Sequence, residues 1–425
     1  MKKYRLSTIA VHGGHQPDPT ELSVGLPIHR TTSYSYRNAE HARNLFSLKE
    51  PGNIYTRLGN PTMNVLEERL SLMEGGAAAV SAASGTAAIF NTVINVAQAG
   101  DEIISCSNLY GGTFTLFDAI LPQLGIRCKL VPLNDEAALN AAVTDKSRLI
   151  YTETIGNPGL DVADLELIAG VARKHHLPLV VDSTFTTPAL LCPFEYGANI
   201  IIHSCSKWIG GHGTGIGGIA IDGGNFDWND PRFSLYTQPD PNYHGLIWAD
   251  AFKDAPIFAL RMRTVPLRNI GACLSPDNAW LFLQGLETLP LRMERHCQNA
   301  QKVAEYLAAH PKVEWVRYPG LKEDPSNGLA RKYLTQGCGG MVVFGVKGGR
   351  TGGERFIDSL KLFLQVANVG DAKSMALHPG STTHSQLSDE QQRMAGVAPE
   401  MVRLSIGIED INDILEDLEQ ALEKA

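Results

Sequence analysis

The stretch HSCSKWIGGHGTGIGG, His203–Gly218, sets a single lysine, Lys207, between an apolar run (Ile200–Ile202) and a glycine-rich loop. Two readings compete. Gly213–Gly218 fits G-x-G-x-x-G, a pattern that cradles a pyrophosphate when it follows a strand and opens a helix. Here IAIDGG follows, a β-branched run that reads as another strand. No acidic residue ends a second strand about twenty residues on, and the nearest acids lie in the loop-rich GNFDWND. The glycines are therefore weak grounds for a nicotinamide site, which stays a minor alternative. The lysine is the better lead. Surface lysine is the default, but Ser-Cys-Ser before it and Trp-Ile-Gly-Gly after it are poor company for a solvated charge.

Working outward, short apolar runs alternate with helix-like stretches from about residue 76 to 221. AAAVSAASG leads into TAAIFNTVINVA and DEIISCSNLYGGT into FTLFDAILPQL; RLIYTETIGNP, DLELIAGVARKHH, LPLVVDSTF and ANIIIHSCSK continue the rhythm. This is an α/β pattern, a mainly parallel sheet between helices, and ligands bind beyond the carboxyl ends of such strands. Residues at those ends are Asp182 after LPLVV, Ser204, Ser206 and Lys207 after IIIH, Asn157 after LIYTETIG, and Tyr110 after IISCSNL. An amine that can form an imine, a carboxylate that can keep a pyridine nitrogen protonated, and an aromatic face that can stack suit pyridoxal 5'-phosphate (PLP). Its phosphate has a candidate seat at Ser84-Gly85-Thr86, where a helix begins and free N–H groups and the helix dipole favour an anion. Ser204 and Ser206 could complete it. Each residue also has a plainer reading: Ser84 as an N-cap, Asp182 as the cap of a turn, Tyr110 as a packing residue. His203 and His212 read as structural, and His175-His176 as solvent-facing with no metal-site spacing.

The chain has 425 residues, 44% hydrophobic and 19% charged, with a formal charge of −8. That length predicts more than one folding unit. The negative balance argues against nucleic acid, whose phosphates select basic faces. Seven scattered cysteines without C-x-x-C fit reduced thiols in a cytoplasmic protein. MKKYRLSTIAVHGG has too broken an apolar run for a signal peptide, and no run reaches the roughly 18 residues of a membrane span. Residues 1–62 are polar and aperiodic and predict an extended arm; 63–275 hold the α/β pattern. Residues 276–425 read as a smaller α+β unit: a long helix over NAWLFLQGLETLPLRMERHCQNAQKVAEYLAAH, strands in VEWVRYP, GGMVVFGV, FLQVANVG and MVRLSIGIE, and a terminal amphipathic helix.

Taken together, YTRLGNPT (55–62), ASGTAA (83–88), LYGGT (109–113), ETIGNP (153–158), VVDSTF (180–185), HSCSKWIGGHG (203–213) and VRLSIGIE (402–409) resemble the Cys/Met-metabolism, cystathionine-γ-synthase-like family of PLP enzymes. The resemblance implies fold type I: a large unit with a mainly parallel seven-stranded sheet between helices, and a smaller C-terminal α+β unit. It implies Lys207 as the Schiff-base lysine, Asp182 at the pyridine nitrogen, Tyr110 stacked on the ring, and Gly85, Thr86, Ser204 and Ser206 on the phosphate. Tyr55 and Arg57 are expected to reach the cofactor of a neighbouring subunit. Arg403 is expected to hold the substrate carboxylate as a two-pronged donor, with Asn157 and Asn368. Tyr110 and Tyr55 are expected to assist the proton transfers of Lys207.

Within the family, GGNFDWND, PDPNYHGL, LQGLETLPLRMERH, VANVGDAKSMALHPGSTTHSQLS and RLSIGIEDINDILEDLEQAL are similar to the branch that acts on O-acetylhomoserine with sulfide or a small thiol. This implies γ-replacement giving homocysteine, in a homotetramer built from active dimers. Cystathionine γ-synthase, O-succinylhomoserine sulfhydrylase and methionine γ-lyase activities remain open. Ser206 stands where many members carry threonine and Thr86 where methionine is common. Gly112 stands where the lyases often carry cysteine.

Overall fold

The computed structural model describes residues 4–382 and 396–425; residues 383–388 of the segment VANVGDAKSMALHPGSTTHSQLS lie outside them. Seven strands form the larger sheet: β1 (Ala78–Ala82), β2 (Glu102–Cys106), β3 (Arg127–Val131), β4 (Ser147–Glu153), β5 (Leu179–Asp182), β6 (Ile200–Ser204) and β7 (Gly218–Asp222). Their order is β1-β7-β6-β5-β4-β2-β3. β2 to β6 run parallel, and β7 lies antiparallel to both β1 and β6. β1 therefore points the same way as β6, and six carboxyl ends share one edge. The inner strands β5, β6 and β7 are near-continuous apolar runs because both faces are covered, whereas the edge strand β3 is partly exposed. Ile200, Ile202 and Val180 face one core with the helix Gly85–Val96. Ile201 and Val181 face the other, with the helices Pro61–Glu74 and Leu165–Lys174.

A second sheet has the order β10-β11-β12-β9-β8: β8 (Val313–Arg317), β9 (Met341–Val346), β10 (Leu364–Gln365), β11 (Met375–Leu377) and β12 (Met401–Ser405). Met341 and Val343 of β9 join the core under the large sheet. Val342 and Phe344 pack on the opposite side with the helices Leu289–Ala309, Gly349–Ser359 and Ile411–Leu422. One face of the small sheet is thus continuous with the large sheet's core.

Four details differ from expectation or add to it. Residues 1–62 are not simply extended: they hold the helices Leu6–His12 and Ala39–Phe46. Asn38 caps the second by accepting the His41 N–H. The first ends at Gly13, whose carbonyl accepts from Arg69 Nε at 2.8 Å, so that part of the chain lies on the helix Pro61–Glu74. The long helix is two helices, Pro276–Glu287 and Leu289–Ala309, because Pro290 lacks the N–H needed to continue the first. The passage 222–275, beyond the strand–helix alternation, joins the core: Trp228, Phe233, Tyr236, Trp248 and Phe258 are buried in one core with the large sheet. β11 is a strand of three residues, too short to leave a pattern in the sequence.

The last helix has a task in the small sheet. Asp417 accepts backbone N–H groups of Lys361 (2.9 Å), Leu362 (2.9 Å) and Phe363 (3.2 Å), fixing the turn before β10. Of the three, only Phe363 is buried, so one donor loses both carboxylate and water when the acid is removed. Asp417→Ala is expected to lower unfolding free energy by about 1–3 kcal/mol, read from the midpoint of a urea titration; an unchanged midpoint contradicts this account.

Candidate active site

The shared edge of carboxyl ends opens on a cavity of about 420 Å³. It is lined by Gly85, Thr86, Tyr110, Asn157, Asp182, Ser204, Ser206, Lys207, Asn368 and Arg403, all singled out in the sequence, and by Ser84, Glu153, Thr184 and Ile216 among others. Residues separated by more than 300 positions are brought together here. Lys207 follows β6 by three residues, and its Nζ donates to Asn368 Oδ1 at 2.5 Å. Arg403, on β12, donates to Asn157 Oδ1 at 2.9 Å. Burial lowers the Lys207 pKa, with Arg403 adding repulsion. Burial also brings Arg403 down to about 10, which keeps it cationic at neutral pH.

The carboxylate of Asp182 does the plainer job and leaves room for the other. Its Oδ1 accepts the Thr184 N–H at 2.9 Å, capping the turn, while Oδ2 accepts the Tyr151 hydroxyl at 3.3 Å. Burial pushes its carboxyl above the usual range, opposed by Thr184 and by His203. A cationic ring nitrogen against Oδ2 would relieve that cost. Ser84 likewise acts as an N-cap, accepting from Ala87 N at 3.0 Å. Helix geometry leaves the N–H groups of Gly85 and Thr86 without intrahelical acceptors. Two close approaches shape this cradle. A methyl on Gly85 would sit 2.7 Å from Ser204 Cβ, and one on Gly218 would sit 2.2 Å from Ser84 O. Ser206 Oγ accepts from Gly217 N at 3.0 Å, tying the lysine loop to the start of β7. No helix opens at Gly213–Gly218; the segment runs straight into β7.

An N-terminal anion seat, a buried acid, an exposed aromatic ring at Tyr110 and a desolvated lysine around one cavity are the donor set that PLP requires. A scan against family models matches residues 7–423 to the Cys/Met metabolism PLP-dependent enzymes. The chain belongs to this family. It is 50% identical to the O-acetyl-L-homoserine sulfhydrylase of Leptospira meyeri, over 99% of this chain and 97% of that one. It is 48% identical to the homocysteine synthase of Schizosaccharomyces pombe over the full length of both. A crystal structure from Campylobacter jejuni, described as an O-acetylhomoserine (thiol)-lyase with a pyridoxyl-phosphate-modified lysine, superposes with a TM-score of 0.96 at 41% identity, covering 99% of this chain and all of that one. The family's cofactor is PLP.

Tyr55 and Arg57 are not in this cavity. They line a separate one with Arg30, Cys273 and Asp277, the Arg57 guanidinium 5.4 Å from the Tyr55 ring centre. His203 is buried with Nε2 2.6 Å from Glu74 Oε1, a structural pair, and His212 is exposed on its loop. Sequence reasoning misses Glu153 and Thr184, although Glu153 ends its apolar strand as Asp182 ends the next. Thr184 Oγ1 accepts the Ser204 N–H at 2.9 Å, joining two strand ends.

Because the folded pKa of Asp182 is raised, its contribution favours the native state below the unfolded pKa and is lost as pH rises through the folded value. Asp182→Asn is therefore expected to leave the cofactor-free protein at least as resistant to denaturant near pH 7 as the parent. The difference should shrink toward about pH 4, while PLP is released more readily. A variant less stable than the parent near neutrality, with cofactor absent from both, contradicts this.

Proposed function

We infer that the chain catalyses γ-replacement, converting O-acetyl-L-homoserine and sulfide to L-homocysteine and acetate. The observation that carries the reading is Lys207, desolvated and held by Asn368 beside the Arg403–Asn157 pair. Its support comes from relatives named for this activity at 48–50% identity.

Bound PLP supplies an electron sink conjugated to Cα of the amino acid; binding, orientation and proton movement fall to the protein. Arg403 presents a planar donor fork to the substrate carboxylate, and Asn157 Oδ1 keeps that fork from turning. With the carboxylate fixed, Cα lies within reach of Lys207. The lysine has the chemistry of the base: burial and Arg403 both favour its neutral amine, which takes the proton from Cα and returns one at the end. Asn368 holds Nζ in place between the two transfers. Asp182 stands ready to accept a ring N–H, and Tyr110 to cover the ring. Gly85, Thr86, Ser204 and Ser206 form the phosphate seat. Acetate departs from Cγ and sulfide takes its position, so one substrate carbon–oxygen bond breaks for each carbon–sulfur bond made.

The division into an arm (1–62), a cofactor unit (63–275) and a small unit (276–425) belongs to this proposal, as does a homotetramer of active dimers. Tyr55 and Arg57, outside the Lys207 cavity of their own chain and lining another, suit the phosphate of a partner's cofactor, with Tyr55 near its proton transfers. The thiols of Cys106, Cys128, Cys205, Cys273, Cys297 and Cys338 are free, which suits the reducing cytoplasm. No helix among the described residues is long and apolar enough to cross a membrane.

Incubation of the PLP-loaded protein with O-acetylhomoserine and sulfide is expected to yield homocysteine and acetate in equal amounts. Lys207→Ala should lower that rate by at least about a hundredfold and abolish the absorbance of a lysine-linked cofactor. Release of 2-oxobutyrate and ammonia instead identifies a γ-lyase. Faster turnover of the O-succinyl ester identifies an O-succinylhomoserine sulfhydrylase, and preference for cysteine over sulfide a cystathionine γ-synthase. Full turnover by Lys207→Ala refutes the role given to the lysine.

A further inference from the structure

Glu153 has no part in the chemistry above, yet it is an acid 6% exposed on the cavity wall. It ends β4, and its Cα is the parallel partner of that of Asp182. Strand alternation puts Tyr151, Glu153 and Asp182 on one face. An acid this deep persists where it has a partner. The partner is the backbone N–H of Tyr110, which donates to Glu153 Oε1 at 2.7 Å. On one side of this contact, Ser107 N–H reaches Val131 O at 2.9 Å; on the other, Phe114 N–H returns to Tyr110 O at 2.9 Å. Between them the turn carrying Tyr110 is fastened to the sheet by Glu153. The Tyr110 ring packs on its own turn. It is half exposed, and it lies so close over Gly112 that a methyl there would be 2.5 Å from its Cε1.

We propose that Glu153 is a positioning residue for Tyr110, pinning the backbone from which the aromatic ring is laid over the cofactor. The inference rests on Tyr110 as the stacking residue. The groups around Glu153 are Asp182, Tyr110 and Tyr151, with Lys207 and Arg403 elsewhere on the cavity wall. Burial foremost, and then the charge of Asp182, push the Glu153 carboxyl well above the ordinary range. The contact with Tyr110 asks only for an acceptor oxygen. Glutamine, with the same length and an acceptor oxygen, is an adequate replacement.

The test is release of PLP from the holoenzyme, followed by visible absorbance and by the circular dichroism that an asymmetric ring environment induces. Glu153→Gln is expected to retain PLP within about twofold of the parent, with an unchanged pH profile. Glu153→Ala should weaken retention about tenfold or more and diminish the dichroic band. In a Tyr110→Ala background the same change should add less than about twofold, because residues acting through one contact are not additive. If Glu153→Ala does not fold, Glu153→Asp, which withdraws the carboxyl by one methylene, is expected to show the same loss. Additive effects of the two alanine changes, or a glutamine variant as impaired as the alanine one, overturn the proposal. So does full PLP retention by Glu153→Ala. Retention of PLP by Tyr110→Ala alone removes the stacking role and this inference with it, while homocysteine formation by the parent protein stands apart.

Discussion

A lysine nitrogen 2.5 Å from an asparagine oxygen joins the loop after β6 to the segment after β10, and the rest of the site is arranged around that contact. Lys207 follows a strand of the large sheet, and Asn368 lies between β10 and β11 of the small one. The backbone behind the lysine is held from the other side: Arg292 donates to the carbonyls of Trp208 (2.7 Å), Ile209 (3.1 Å) and Gly285 (2.7 Å). A methyl on Gly370 would come within 2.7 Å of Trp208 N. The flexible four-carbon stem of a lysine is a poor positioning device by itself. Here both ends of it are fixed, the backbone by a guanidinium and a close-packed glycine, the nitrogen by an amide.

The electrostatics follow from the depth of the cavity. Two acids, Asp182 and Glu153, and two bases, Lys207 and Arg403, line one cavity, and each is pushed toward its neutral form by burial. The four do not respond equally. Arg403 falls only to about 10 and stays charged, so it can hold an anion. Lys207 starts lower and is repelled by Arg403, so it has the chemistry of a base. Asp182, near His203 and capped by Thr184, is better supplied with stabilising partners than Glu153, which has a single N–H. Environment thus acts unequally on like groups: both carboxyls are pushed up by burial, Asp182 with more partners opposing the rise than Glu153, and both cations are pushed down, with Arg403 still charged at neutral pH.

The α/β alternation and the residues at strand ends are legible in the sequence because both are local. A strand buried on two faces is written as an unbroken apolar run, and the residue that ends it must be polar if it borders a cavity. Asp182 and Ser204 follow from that rule, Lys207 and Tyr110 sit three and four residues past such ends, and Glu153 obeys the rule too, although a glutamate at a strand end draws less notice than a lysine among serines. Asn157 likewise lies beyond a strand end, but Asn368 and Arg403 need more. Asn368 and Arg403 come from the far third of the chain, and no periodicity says that β12 turns its arginine toward β6; only likeness to a family places them. The aromatic cluster at 228–258 is illegible for a related reason. Its residues are scattered among glycines, prolines and acids without a period, and their burial depends on the sheet they cover.

The glycine pattern that opened the question has a packing explanation. Gly213 has a φ of +63°, where a side chain is strained, and a methyl there would be 2.8 Å from Asp371 Oδ2. Gly215 and Gly217 lie against the ring of Phe282, and Gly218 lies against the Ser84 carbonyl. Each glycine answers a different neighbour. The loop must turn β6 back into antiparallel β7 within fourteen positions of chain while the start of the helix Gly85–Val96 packs closely against both strands. A chain under those constraints places small residues wherever helix, carboxylate or carbonyl comes close, and the spacing G-x-G-x-x-G results without a pyrophosphate to recognise. What distinguishes the two origins is the element that follows. A helix would aim its N–H groups at a ligand, whereas β7 spends its N–H groups on β1 and β6 and has none to offer.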